Sequence, residues 1–251
     1  MRRNSIFLIL SLVFCASFCF ASFDLAPIIA TVTPAGPGAT VSFTLTNSSD
    51  SKTPIQVAIY RREPDIDGKE KYEESKDSGE LFQIFPAQVI LNPKEQRTLR
   101  VTYVGDPKLK EELAFRIIAE EFPINVTDPK KIIKKAVASI AVMTKYVGSL
   151  YVTPLGKQAD MQVEASMKKS GANTQMELLM KNKGTEHFIL KNPKITVVTT
   201  SDGKAYSMPI ESINAIGTQN VLAGRTRRFT IPWPKDVPQG AVKVTIDLAK
   251  K

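Results

Sequence analysis

Apolar and polar residues alternate over short stretches along most of the chain, with turn-forming residues between the stretches. This period of two predicts strands. Val41, Phe43 and Leu45 alternate with Ser42, Thr44 and Thr46 and stop at Asn47-Ser48-Ser49-Asp50, the pattern of a half-buried strand and its turn. Ile55 to Tyr60 repeats it. Leu81 to Phe85, Gln88 to Leu91, Arg97 to Val104 and Ala114 to Glu120 follow, punctuated by Pro86, by Asn92-Pro93-Lys94 and by Gly105-Asp106-Pro107. After Tyr151-Val152-Thr153-Pro154 a second series begins, with strands expected at 160–167, 174–181, 194–198, 227–231 and 242–248. No stretch keeps a long helical apolar period.

The expected fold class is therefore all-β. Strand number and spacing suit two successive β-sandwiches of the immunoglobulin type. The boundary is expected near residues 149–156, giving a first domain over 22–150 and a second over 151–251, and a chain of 251 residues is long enough for two such cores.

One segment departs from the alternation. Ala136 to Tyr151 contains no proline and a single glycine, Gly148. Fully extended it would span roughly 50 Å, about three average strands. Ile140, Val142, Thr144, Tyr146 and Leu150 share one face and Val137, Ala141, Met143, Lys145 and Tyr151 the other, so neither face is properly polar. A strand apolar on both sides must be covered on both sides, and a partner is one source of cover. The alternatives are a central strand buried within its own domain, or a short helix over 132–142 favoured by the alanines.

Composition narrows the chemistry. Met1-Arg2-Arg3, the apolar run Ile6–Phe20 and the small residues Cys19 and Ala21 form a secretory leader over residues 1–21. The run is shorter than a membrane-spanning helix needs. Its removal takes both cysteines, Cys15 and Cys19, so disulfide scaffolds and cysteine metal sites are excluded. The single histidine, His187, leaves no multi-histidine metal site and little material for nucleophilic catalysis, and is expected in a turn or at the surface. No glycine-rich phosphate loop is present. No enzyme activity and no cofactor are expected. The net charge is +9, but an exported chain without a nucleic-acid motif is not expected to bind nucleic acid. The charge-rich stretch 61–80 reads as an exposed, solvated connection, and Arg225, Arg227 and Arg228 as flanking a strand.

Two segments carry a family resemblance. Leu113-Ala-Phe-Arg-Ile-Ile-Ala-Glu-Glu-Phe-Pro123, and then Lys145-Tyr-Val-Gly-Ser-Leu-Tyr-Val-Thr-Pro154, resemble the periplasmic pilus-assembly chaperones of the chaperone-usher (PapD-like) family. Val41 to Asn47 is similar to the second strand of that family and Phe82 to Arg100 to its proline-turn region; the second domain matches only loosely. The resemblance implies two immunoglobulin-like domains set at an angle. They would bind pilin-like subunits that lack a strand, by donor-strand complementation, and deliver them to an outer-membrane usher in the periplasm. It maps the donor strand to Ile140, Val142, Thr144 and Tyr146, and the free donor edge invites self-association.

The family's other landmarks are altered here. Its subunit-carboxylate anchor pairs an arginine of the first strand with a lysine of the donor strand, but no Lys or Arg lies between Ser22 and Lys52, and Ser149 or a neighbour stands at the lysine place. Arg116 and Lys145 are the expected replacements, since a guanidinium can grip a carboxylate with two hydrogen bonds. The competing reading pairs Arg116 with Glu120 or Glu121 and leaves Lys145 in water. The interdomain ion pairs of the family imply Glu121 and Asp236, with Thr153 in place of an arginine. The basic run Lys130-Lys131-Ile132-Ile133-Lys134-Lys135 is a solvated loop, or else a patch that steers acidic pilins or binds an anionic membrane surface. An immunoglobulin-like accessory or ligand-binding protein outside pilus assembly is the alternative function.

Overall fold

The computed structural model describes residues 21–71, 78–123, 143–171, 173–191 and 193–247. The first half contains β1 (Phe23–Ala26), β2 (Ile29–Val32), β3 (Thr40–Asn47), β4 (Thr53–Arg61), β5 (Phe82–Phe85), β6 (Gln88–Leu91), β7 (Gln96–Tyr103), β8 (Leu113–Glu121) and β9 (Lys145–Val152). They form two facing sheets, ordered β1-β3-β7-β5 and β2-β9-β8-β4-β6.

Alternation decides which residues enter the core. In β3, Phe43, Leu45 and Asn47 are buried between half-exposed neighbours, and in β4 the buried set is Thr53, Ile55, Val57 and Ile59. Phe23, Phe43, Leu45 and Leu99 of one sheet meet Ile55, Phe115, Ile117 and Leu150 of the other. Phe82 packs edge-on against Phe115 with centroids 4.8 Å apart. The predicted turn after Asn47 is closed by that residue's buried amide. Its Nδ2 donates to the carbonyls of Ser51, Leu91 and Asn92, and its Oδ1 accepts from the Ser49 backbone N–H.

The chain enters through a strand that changes sheets. β1 pairs antiparallel with β3, and beyond Pro27 and Ile28, β2 pairs in parallel with β9, Ile29 opposite Ser149 through Val32 opposite Val152. A proline has no N–H for the ladder, so Pro27 suits the crossing point. Gly148 stands where β9 is most crowded: a Cβ there would lie 2.8 Å from Ile117 Cγ2 and 2.9 Å from the Ile28 carbonyl oxygen.

The second half contains β10 (Met161–Ser170), β11 (Asn173–Asn182), β12 (Phe188–Ile189), β13 (Lys194–Thr199), β14 (Ala205–Ser207), α1 (Ile210–Ile216), β15 (Asn220–Val221), β16 (Thr226–Pro232) and β17 (Val242–Asp247). Sheets β10-β11-β16 and β14-β13-β17, with the β12-β15 pair, enclose a separate core of Met176, Leu178, Met180, Leu190, Val197, Phe229 and Trp233. The helix α1 was not expected. Its Ile213 and Ile216, one turn apart, reach this core, but seven residues are too few to give a clear helical period.

A third, small cluster of Ala114, Tyr151 and Leu222 lies between the two cores. The two-sided burial expected for the long strand is met at residues 148–152, all buried. Leu150 and Val152 face their own core, while Tyr151 turns to residues of the second half. The cover thus comes from within the chain at this end. The segment 124–142, with Ile140, Val142 and the basic run 130–135, lies outside the described residues, as do residues 1–20, where the leader is expected.

Candidate functional site

Strand register builds one continuous face on the five-stranded sheet. Tyr60, Arg116 and Ser149 stand side by side on β4, β8 and β9, and Gln56, Glu120 and Lys145 form the equivalent row four residues along. Arg62, just past β4, donates its backbone N–H to the Ala114 carbonyl and so joins the same face beside Tyr151.

At the Arg116 end the polar groups interlock. Arg116 Nη1 donates to Ser149 Oγ at 2.7 Å. Arg62 Nη1 donates to the Tyr151 hydroxyl at 2.9 Å, which also accepts from Asn220 Nδ2 at 2.7 Å. Between the two guanidiniums lies the Glu70 carboxylate, 2.6 Å from Arg62 Nε and 2.7 Å from Arg116 Nε. Burial alone would push the Glu70 carboxyl up, but the hydrogen bonds and charges of Arg116 and Arg62 outweigh it and hold it below the ordinary glutamate value. Arg227 sits beyond, its pKa lowered first by burial and then by the Arg62 charge.

The stretch 61–80 is therefore not simply a solvated connection. Arg62 is 8% exposed and Glu70 is nearly covered, because each charge is paired inside the fold. The same stretch reaches the second sandwich: Arg228 donates its backbone N–H to the Ile66 carbonyl and its guanidinium to Asp67, whose carboxyl it holds low. Arg227 and Arg228 lie within β16 rather than flanking it.

Arg116 and Lys145 are not brought together. Lys145 stands opposite Glu120 and pairs with it at 3.5 Å, four residues or roughly 13 Å from the Arg116 row. The described partners of Arg116 are Glu70 and Ser149 rather than Glu120 or Glu121. The second cation beside Arg116 is Arg62, which sequence reasoning missed because it lies in the charged stretch.

Glu121, Asp236 and Thr153 are likewise apart. Glu121 ends β8 far from Thr153, accepts a short hydrogen bond from Ser22 Oγ, and lies 3.4 Å from the Thr144 backbone N. Asp236 is exposed in the turn between β16 and β17. The acid beside Thr153 is Glu112, whose side chain is 1% exposed: Thr153 Oγ1 donates to its Oε2 at 2.7 Å, and His187 Nδ1 lies 2.7 Å from its Oε1. A signal was available, since β9 runs into Thr153 and an antiparallel β8 must begin, not end, beside it. His187 is not at the surface either; its ring stacks on Tyr151 with centroids 4.0 Å apart and planes 10° apart.

Of the expected donor residues, Thr144 and Tyr146 are described. Thr144 Oγ1 accepts from Ser22 Oγ at 2.8 Å. Tyr146 donates its hydroxyl to Asp24 at 2.8 Å and packs its ring 5.2 Å from Phe23; burial, and then the Asp24 carboxylate, raise its pKa. No ladder registers Tyr146 to Gly148 on the edge away from β8 among the described residues, whereas 149–152 are paired on both edges. Among the described residues no group of His, Cys, Asp and Glu is placed to hold a metal ion.

The family model for the pili and flagellar-assembly chaperone, PapD N-terminal domain, matches residues 30–156, half of the chain, and the chain belongs to that family. No match is found among curated protein sequences. Among solved structures, the chaperone of a chaperone–tip adhesin complex of CFA/I fimbriae biogenesis superposes with a TM-score of 0.56 at 12% identity, covering 92% of this chain and all of that one. The CsuC–CsuE chaperone–tip adhesion subunit pre-assembly complex from the archaic chaperone-usher Csu pili of Acinetobacter baumannii gives 0.54 at 17% identity, covering 86% and 90%. The class 5 fimbriae chaperone CfaA gives 0.52 at 13% identity, covering 91% and 100%. At these identities the likeness is one of fold: two immunoglobulin-like sandwiches.

Proposed function

We propose that this protein is an exported periplasmic chaperone, its leader removed after residue 21, with domains over 22–150 and 151–251. It holds pilin-like subunits by donor-strand complementation and passes them to an outer-membrane usher. A subunit lacking its last strand exposes an apolar groove and unpaired backbone edges, which invite aggregation. Lending a strand satisfies both.

The observation that carries this reading is the half-paired β9. It is enclosed on both edges at 149–152 and laddered on one edge at 146–148, and the chain upstream of it supplies Ile140, Val142 and Thr144. Tyr146, pinned to Asp24, marks where the lent segment leaves its own sandwich. Two of the similar folds are of chaperones in complex with tip subunits, which supports a partner of this kind. Each large apolar donor side chain contributes about 1.5 to 3 kcal/mol gross, reduced by the cost of ordering both partners. The subunit's terminal carboxylate is anchored on Arg116 with Arg62, and Lys145 lies on the rim.

The test is Ile140→Asp combined with Val142→Asp. The expected result is an unchanged melting curve and loss of the stoichiometric small partner that co-purifies from the periplasm and is identified by mass spectrometry. Undiminished capture by the double variant refutes the donor assignment.

A further inference from the structure

Glu70 belongs to the connection between β4 and β5, yet its carboxylate lies across two guanidiniums of the sheet face. Oε2 is 2.7 Å from Arg116 Nε, and Oε1 is 3.0 Å from Arg116 Nη2 and 2.6 Å from Arg62 Nε. This is the two-pronged grip of a guanidinium on a carboxylate, with a second guanidinium added. We propose that Arg62 and Arg116 form an exchangeable carboxylate seat and that Glu70 is its internal occupant, displaced when the carboxylate of a bound polypeptide takes its place. The proposal rests on the chaperone reading above for the identity of the competitor, a subunit's terminal carboxylate.

The seat is oriented without Glu70. Arg62 is held from behind by the Tyr151 hydroxyl, itself bound to Asn220, and Arg116 by Ser149. The N–H groups left over point at one place, so an incoming carboxylate meets donors already ordered.

Charge fixes what can replace Glu70. Two covered guanidiniums, with Arg227 beyond them, cannot be left without an anion, since an uncompensated buried charge is strongly unfavourable. An amide or water does not suffice, which makes the event an exchange of one carboxylate for another.

Glu70 also has a way out. No apolar side chain of residues 63–71 is buried, and their turn is closed locally by Asp65, whose carboxylate accepts from the backbone N–H groups of Asp67 and Lys69, while Arg228 holds the turn to β16 through the Ile66 carbonyl and the Asp67 carboxylate. Gly68 has φ +80° and lies against Arg227, where a Cβ would be 2.2 Å from Nη2. The turn therefore comes close to the cations without inserting an apolar side chain, and withdrawing Glu70 while the Arg228 contacts stay in place uncovers no core.

The experiment uses the whole mature chain as wild type, Glu70→Ala, and Glu70→Ala with Arg116→Ala, melted in sodium formate, sodium chloride of equal ionic strength, and formamide. Formate is expected to raise the melting temperature of Glu70→Ala saturably, with no such response in chloride, in formamide, in the wild type or in the double variant. If Glu70→Ala does not fold, Glu70→Gln, which keeps the volume, takes its place. A variant that formate affects no more than chloride overturns the seat. The competition is read separately, as the dissociation rate of the co-purified subunit, expected to slow at least about tenfold in Glu70→Gln, the worth of one charge-assisted hydrogen bond. An unchanged rate overturns displacement while leaving the chaperone reading intact. A wild type that captures no subunit refutes the chaperone reading, and the formate response still decides the seat.

Discussion

The two ends of the β8–β9 ladder share one pleated face and one mix of residue types, yet they hold charge in different ways. At one end Glu120 and Lys145 face each other at 3.5 Å, each about a third exposed. At the other, Tyr151 reaches the second sandwich through Asn220 and holds Arg62, while Glu70 closes over Arg62 and Arg116 and Ser149 backs Arg116. The open pair is screened by water and contributes little; the covered set is bound by the requirement that every buried charge keep its partner. What distinguishes them is the layer above the sheet, not the residues in it.

That contrast can be broken experimentally, starting where the effect is largest. Arg62→Ala removes a partner from both Glu70 and Tyr151 and is expected to cost about 3 to 5 kcal/mol in urea unfolding. Tyr151→Phe keeps the ring stacked on His187 but removes the hydroxyl shared by Arg62 and Asn220. It is expected to cost about 1 to 3 kcal/mol, and a value near zero would mean that the hydroxyl merely accompanies the packing.

Acid sharpens the comparison further. The carboxyl of Glu70 is depressed in the folded state, so its stabilisation is complete above the unfolded glutamate pKa of about 4.3 and is lost as pH falls through the lower folded value. The stability gap between wild type and Glu70→Gln should be flat above about pH 5 and shrink on acidification below about pH 4. A gap that persists in strong acid would trace to something other than the carboxylate charge. Smallest of all, Lys145→Ala should change stability by less than about 1 kcal/mol; a cost matching Arg62→Ala would erase the distinction between the two ends.

Much of the fold could be read from the chain because each alternating strand meets one layer on one side. Val41 to Asn47 and Ile55 to Ile59 show this directly in their burial. β1 and β2 escaped notice since each is four residues long and Pro27 divides them between two sheets. The site was less legible for a different reason. Arg62 and Glu70 look like solvated charge in a run of charges, and only β8 and β9, distant in sequence, make their burial tolerable. Glu112 precedes β8 and Glu121 ends it, and composition alone does not choose between them; strand direction does, by setting Glu112 beside Thr153. His187 looked ordinary because neither Tyr151 nor Glu112 is near it in sequence.

The Tyr151 hydroxyl is shared between an arginine of the first sandwich and an asparagine of the second. A single oxygen therefore couples the posture of the joint to the readiness of the arginines. If the arginines seat an anion as proposed, prying the halves apart would loosen the hold on Arg62, and by reciprocity a seated anion would stiffen the joint.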